Sequence, residues 1–199
     1  MRFVLASASP ARLTTLRRAG ADPEVMVSGV DESGVQAASP AELAGTLAGL
    51  KAAAVARTIP NDALVLGCDS LLEFDGRALG KPGSEEAAVD RWREIRGRIG
   101  VLHTGHALID TESTRSARRT VSTIVHFAQL TDAEIDGYVA TGEPIAVAGA
   151  FTIDGLGGWF VCGIEGDPHN VVGVSLPAVR EMLHEIGRDL ADIGYQMRR

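Results

Sequence analysis

The sequence predicts an α/β protein with a mixed sheet flanked by helices, and three observations carry that prediction. Short apolar strand-like runs alternate with amphipathic helical stretches, several strand runs follow one another directly in mid-chain as a meander, and no internal repeat or low-complexity tract breaks the pattern. At 199 residues the chain suits a single domain, or two small lobes with a cleft between them. A chain of this size buries roughly 70% of its unfolded surface, so neither disulfides nor a structural metal are needed for stability.

Phe3 to Ala6 reads as the first strand. It breaks into Ser7-Ala8-Ser9-Pro10-Ala11-Arg12, where Ser9 is placed as an N-cap and Pro10 as the first helical residue, since proline lacks only an N–H that is unpaired there anyway. This helix stops at Gly20, and Glu24 to Val30 reads as a second strand ending in Asp31-Glu32. Ser39-Pro40-Ala41-Glu42 is an N-cap with a capping-box glutamate, and Leu43, Leu47, Leu50 and Ala54 form the expected buried stripe of the helix that follows. Lys51 falls at the edge of that stripe, facing either a cleft or plain solvent.

Leu64 to Phe74 is a strand interrupted by Asp69, and Asp75-Gly76 is a tight-turn signal that returns the chain through Arg77 to Leu79. Ser84 caps a third helix with Ala88, Trp92 and Ile95 on one face, before strands from Val101 to Ile109 and from Arg119 to Phe127. Thr131-Asp132-Ala133-Glu134 is a second capping box, with Ile135, Tyr138 and Val139 inside and Gly142 as the stop. A glycine-rich stretch, Ala148 to Gly158, precedes a strand from Trp159 to Ile164, and a last helix runs from about Pro177 to Ile186 with Val179, Met182, Leu183 and Ile186 in register. Residues 188–199 read as a C-terminal tail, either a helical remnant or a frayed end.

The formal charge of −7 and a pI near 5.2 argue against a nonspecific hold on DNA or RNA. The two cysteines, Cys68 and Cys162, each lie in an apolar run, which is simplest for buried thiols in a reducing compartment. The Phe3 to Ala6 run is too short for a signal-peptide core and no segment approaches a bilayer span, so a cytoplasmic protein without a membrane partner is expected.

The Ser7 to Arg12 turn is either an ordinary helix cap or a phosphate site. Free amides at the helix start, two hydroxyls and the Arg12 guanidinium would hold an anion by helix-end charge and charge-assisted hydrogen bonds. Asp69 in so apolar a strand must meet a cation, hydrogen-bond donors or a metal, because a buried unpaired carboxylate costs several kcal/mol. The hairpin returns Lys81, in Gly80-Lys81-Pro82, towards Asp69. Glu32 offers a second hard oxygen ligand, and two carboxylates together with substrate phosphates are the usual way Mg²⁺ is held. Arg12, Lys51 and Lys81 would then face a polyphosphate. Competing sites are poorer. His103 and His106 fall on opposite faces of a strand, which makes them a poor zinc pair. Cys68 beside Asp69 would have a raised pKa and make a weak nucleophile. Gly155-Leu156-Gly157-Gly158 lacks the context of a dinucleotide fingerprint and reads as a turn whose backbone is free to approach a ligand.

In order, Leu5-Ala6-Ser7-Ala8-Ser9-Pro10-Ala11-Arg12, Asp31-Glu32, Lys51-Ala52, Gly67-Cys68-Asp69-Ser70, Gly80-Lys81-Pro82, Thr104-Gly105, Gly142-Glu143-Pro144, Ala148-Gly149-Ala150-Phe151 and Gly166-Asp167-Pro168-His169-Asn170-Val171-Val172-Gly173 resemble the Maf family. The resemblance runs from the first strand to the last helix. It implies an elongated inosine-triphosphatase-like fold and a homodimeric nucleoside triphosphate pyrophosphatase that releases a nucleoside monophosphate and diphosphate with a divalent cation, Mg, Mn or Co. It also implies Asp69 as proton acceptor, Glu32 and Asp69 at the metal, and Ser7, Ser9, Arg12, Lys51 and Lys81 at the phosphates. The family's link to septum formation leaves a second reading, a division regulator that binds a partner protein in a nucleotide-dependent way. Ala11, Ser70 and Asp154 stand where the family pattern has other residues and selects the base. An acceptor-only carboxylate at Asp154 and the space left by Ala11 suit guanine or a methylated guanine better than thymine.

Overall fold

The structure is a computed structural model that describes residues 1–59 and 62–195. Its strands are β1 (Arg2–Leu5), β2 (Glu24–Val25), β3 (Ala63–Phe74), β4 (Arg77–Leu79), β5 (Ile99–Asp110), β6 (Ser116–Phe127) and β7 (Val161–Glu165). Its helices are α1 (Pro10–Arg18), α2 (Pro40–Ala56), α3 (Glu85–Ile95), α4 (Asp132–Val139), α5 (Pro168–Val172) and α6 (Leu176–Glu185). The strands form one seven-stranded sheet in the order β2-β1-β3-β5-β6-β7, with β4 beside the far end of β3. β1 runs parallel to β2 and β3 while the other pairings are antiparallel, so the sheet is mixed, as expected.

β3 positions the site. One edge pairs with β5 without a break from Leu64 to Glu73. The other pairs with β1 as far as Leu66 and with β4 only from Leu72 onward. Among the described residues, 67–71 therefore have no strand beside them on that edge, and Asp69 sits at the middle of the gap. A crevice at the carboxyl end of a parallel strand, where the sheet's neighbours change, is where open α/β sheets bind ligands.

α2 lies on the face of the sheet that carries Gly67 and Gly105. A Cβ on Gly67 would meet the Ala48 carbonyl oxygen at 2.3 Å, and one on Gly105 would meet the Ala44 carbonyl oxygen at 2.1 Å. Close approach therefore needs glycine below and alanine above, and Ala44, Ala48 and Ala52 are fully buried. The expected leucine stripe is corrected accordingly. Leu47 is buried, but Leu50 is 40% exposed and the buried face lies about one residue round, on Ala44, Ala48, Ala52 and Val55. Hydrophobicity favours the large side chains; the distance between helix and sheet favours the small ones.

Two apolar cores cover the rest of the sheet. One joins Leu5, Leu16, Leu64, Leu66 and Leu108 to Val179, Met182 and Leu183 of α6. The other is built around Trp92, which meets Phe127, Tyr138 and Phe160 edge-on and donates its indole N–H to the Ala150 carbonyl at 2.8 Å. Three further expectations are corrected. β2 ends at Val25 rather than Val30, since the chain leaves the sheet once the Met26 N–H has bonded Leu5, and Gly29 turns it with φ +63°. β7 begins at Val161, because Leu156–Phe160 forms a 3₁₀ turn. Cys162 is exposed on β7, an edge strand with one face to solvent, whereas Cys68 is buried as expected. α5, which pattern reading did not anticipate, is a single short helix capped by Asp167. Beyond Gly187, Leu190–Ile193 forms a 3₁₀ turn with Ile193 in the first core, while residues 196–199 lie outside the described residues. Among the described residues no helix is long and apolar enough to cross a membrane.

Two buried titratable groups predict how the fold responds to acid. Burial lowers the pKa of His106 to about 4, with the nearby Arg12 charge acting in the same direction. For Asp110, burial acts to raise the pKa, but hydrogen bonds from Arg188, Ser113 and Glu112 overcome it and bring it down to about 2. Both folded values lie below the unfolded ones, so each contribution is full above the unfolded pKa and is lost as pH falls towards the folded one. Urea midpoints are expected to drop in two stages, from pH about 6.5 to about 4 and then from about 4 to about 2. His106→Gln should flatten the first stage alone; an unchanged first stage would show that His106 does not cause it.

Candidate active site

The gap in β3 opens into a cleft of about 830 Å³. Every residue singled out from the sequence lines it: Ser7, Ser9, Ala11, Arg12, Glu32, Lys51, Asp69, Ser70, Lys81 and Asp154. They come from the β1–α1 turn, the first turn of α1, the loop before α2, α2 itself, β3, the segment after β4 and the loop before β7.

Ser9 caps α1 as expected, its hydroxyl accepting the Arg12 N–H at 3.4 Å, and Ser7 Oγ accepts the Ser9 N–H at 3.3 Å. Arg12 turns inward from this cap. Its guanidinium, in a residue only 8% exposed, donates to Ser7 Oγ at 2.8 Å, to the Cys68 carbonyl at 2.9 Å, and to the Gly173 carbonyl and Ser70 Oγ at 2.8 Å each. Four of its five N–H groups are thereby taken by protein acceptors. Arg12 thus ties the turn to β3 and to the end of α5, a task the sequence pattern does not reveal. Ser70, on the face of β3 opposite Asp69, shares a 2.9 Å hydrogen bond with Thr104 as well as receiving Arg12.

On the other face, Lys51 reaches the cleft rather than solvent. Its ammonium lies 2.5 Å from Asp69 Oδ1 and 2.8 Å from Glu32 Oε1. The Asp69 side chain is 10% exposed, and burial raises its pKa above the ordinary carboxylate value; Lys51 and Arg12 oppose the shift and Glu32 adds to it. A carboxylate moved upward in this way is a better proton acceptor than a free one. Glu32 and Asp69 offer two hard oxygen donors that both meet the Lys51 ammonium, and they are the residues here that could hold a divalent cation. Among the described residues, no group of three or more His, Cys, Asp or Glu side chains gathers to form a full protein cage. Lys81 is exposed and faces the cleft from the end of the β4 return, while Asp154 is exposed on the wall formed by residues 152–154.

Some of the lining was not anticipated. Val27 to Val30 leave the sheet to form one wall, Leu102, Phe151, Val171 and Val172 bring apolar side chains to the lining, and Leu71 lines it from the opposite face of the sheet. Leu71 and Leu102 stand in strands that the sequence predicts without singling out either residue. The glycine-rich loop serves differently from the expectation: the Leu156 and Gly157 N–H groups each donate to the Glu143 carboxylate at 3.0 Å, so the backbone approaches an internal side chain, not a ligand. His103 and His106 are held apart, His103 by Glu73 and Ser122, His106 by the Ser175 N–H. Cys68 is no nucleophile either: burial raises its thiol pKa to about 11.

The family model described as Maf-like protein matches residues 2–186. A protein of Streptomyces avermitilis named nucleoside triphosphate pyrophosphatase is 57% identical over 94% of this chain and 91% of its own. Proteins of the same name from Salinispora tropica and Thermosynechococcus vestitus are 56% and 52% identical, over 94% and 96% of this chain and 84% and 96% of their own. Among solved structures, the Staphylococcus aureus Ham1 protein aligns with TM-score 0.44 and 19% identity over 64% of this chain and 72% of that one, a likeness too slight to bear on function. With a match over nearly its whole length and relatives more than half identical, the chain belongs to the Maf family.

Proposed function

We propose that the protein hydrolyses nucleoside triphosphates between the α and β phosphates, releasing a nucleoside monophosphate and diphosphate. The observation that carries this reading is the Glu32–Lys51–Asp69 cluster at the gap in β3, with a capped helix start and Lys81 facing the same cleft. Phosphoanhydride cleavage depends mostly on position and charge neutralisation; Arg12, Lys51 and Lys81 supply positive charge, and the two carboxylates serve to position. Asp69 orients and deprotonates the attacking water, with its pKa raised by burial towards working pH. Lys51 keeps the Asp69 carboxylate in place and moves its charge onto the incoming phosphates. Ser7, Ser9 and the α1 amides receive phosphate oxygens, while Arg12 holds that turn in shape. Glu32 and Asp69 would hold a divalent cation, Mg, Mn or Co, which supplies Lewis-acid neutralisation of the phosphates. We place the enzyme in the cytoplasm as a homodimer.

The apolar lining formed by Leu102, Phe151 and Val171 receives the base. Asp154 accepts hydrogen bonds only, which suits the N–H donors of guanine or 7-methylguanine, and half-buried Ala11 leaves room for a bulky or methylated ring. Incubated with a panel of triphosphates, the purified protein should yield monophosphate and diphosphate in equal amounts, and EDTA should stop the reaction. Orthophosphate as the product would replace this reading with a general phosphatase. Faster turnover of dTTP or UTP than of guanine-type triphosphates would overturn the base assignment.

A further inference from the structure

The Glu143 carboxylate is engaged more heavily than a surface turn requires. Glu143 follows Gly142, which has φ +76°, and opens a 3₁₀ turn over Glu143–Ala146. Its Oε1 accepts Tyr138 Oη at 2.9 Å, Thr152 Oγ1 at 2.6 Å and the Gly157 N–H at 3.0 Å, and its Oε2 accepts the Leu156 N–H at 3.0 Å. Burial acts to raise its pKa, but the donors from Thr152, Leu156, Gly157 and Tyr138 prevail and leave it lowered, so the group is ionised at neutral pH. The wrapping leaves no room for side chains. A Cβ on Gly155 would lie 2.6 Å from Glu143 Oε2, and one on Gly157 would lie 2.4 Å from the Tyr138 hydroxyl.

The carboxylate thus grips the chain at Thr152 and again at Leu156–Gly157. Ile153 and Asp154, both lining the cleft, are held between those two points, while Glu143 itself does not line it. We infer that Glu143 is a positioning residue for base selection: its carboxylate fixes the backbone that carries Asp154 and so decides which base edge the cleft accepts. Glutamine in its place has the same shape but one acceptor oxygen, and its amide would present N–H groups to backbone N–H groups. The wall would lose its anchor while Asp69, Lys51 and Glu32 stay where they are.

This inference rests on the proposed nucleotide hydrolysis, and the test separates the two. For the folded Glu143→Gln protein, KM for the preferred triphosphate should rise about 10-fold with kcat within about 2-fold, and the spread of kcat/KM among the four bases should shrink about 10-fold. The inhibition constant of inorganic tripolyphosphate, which has no base, should not change. Tyr138→Phe removes one donor without touching the cleft and should shift the same quantities by about 3-fold, which keeps the test open if Glu143→Gln fails to fold. A wild-type protein inactive on every nucleoside triphosphate would refute the reading on which the inference rests. An active wild type with an unchanged base spread in Glu143→Gln, or in Tyr138→Phe if only that variant folds, would refute the inference alone. So would tripolyphosphate binding that weakens in step with nucleotide binding, because the effect would then be a general loosening of the site.

Discussion

Asp69→Asn is expected to lower kcat by at least about 10²-fold while leaving the protein as stable as the wild type or more so. Asparagine keeps the size of the side chain and an oxygen for Lys51, but has no basic pair with which to take a proton from water. The effect on stability follows from the sign of the pKa shift. Burial raises the folded pKa of Asp69, so the contribution of this group is full below the unfolded value and is lost as pH rises through the folded one. At neutral pH the ionised carboxylate therefore detracts from stability, and the neutral amide relieves that cost. Steady-state kinetics beside urea melts at pH 7 and pH 4 test both halves. The variant should unfold no earlier than wild type at pH 7, and any advantage should narrow in acid, where wild-type Asp69 takes up its proton. Activity within 10-fold of wild type would remove Asp69 from the chemistry; a large loss of stability would make it a structural residue.

Gly105→Ala should have the largest effect of any single methyl group on both stability and rate. The added Cβ would lie 2.1 Å from the Ala44 carbonyl oxygen, 2.4 Å from its carbon and 2.6 Å from the Gly45 nitrogen. All three are helix backbone atoms, so α2 must lift from the sheet as a body instead of rotating one side chain aside. Overpacking of this kind costs about 3 kcal/mol. Lys51 lies two turns further along the same helix, so the displacement reaches its 2.5 Å contact with Asp69 and its 2.8 Å contact with Glu32. A shift of about 1 Å in such a constellation is expected to lower kcat/KM about 10²-fold. Gly137→Ala on the exposed face of α4, where a Cβ would meet nothing within 4 Å, is the control. It should be neutral or slightly stabilising, since alanine is the better helix residue. Equal behaviour of the two variants would show that the contact between α2 and the sheet is softer than its geometry implies.

Most elements were legible in the sequence because their signals are local. Ser9-Pro10, Ser84 and the Thr131 to Glu134 capping box mark helix starts through hydrogen bonds that span three residues, and Asp75-Gly76 marks a turn by the φ it must adopt. Asp69 stood out because a carboxylate in an apolar strand needs a partner wherever the strand lies. The buried face of α2 was not legible. A pattern of leucines carries no information about how closely a helix approaches a sheet, and here the approach is set by Gly67 and Gly105, distant in sequence from the helix.

By itself, then, the sequence determined the α/β class, the helix starts and the set of polar residues with no place in a core. Tertiary structure alone decided how those residues are used. It sets Lys51 between Glu32 and Asp69, it turns Arg12 into a clamp from the β1–α1 turn to Ser70 and Gly173, and it wraps the glycine-rich loop around Glu143. The physical reason is the range of the forces involved. Capping and turn preferences act over three or four neighbouring residues, whereas a buried charge is satisfied by whichever donors and acceptors the packed chain brings within about 3 Å of it.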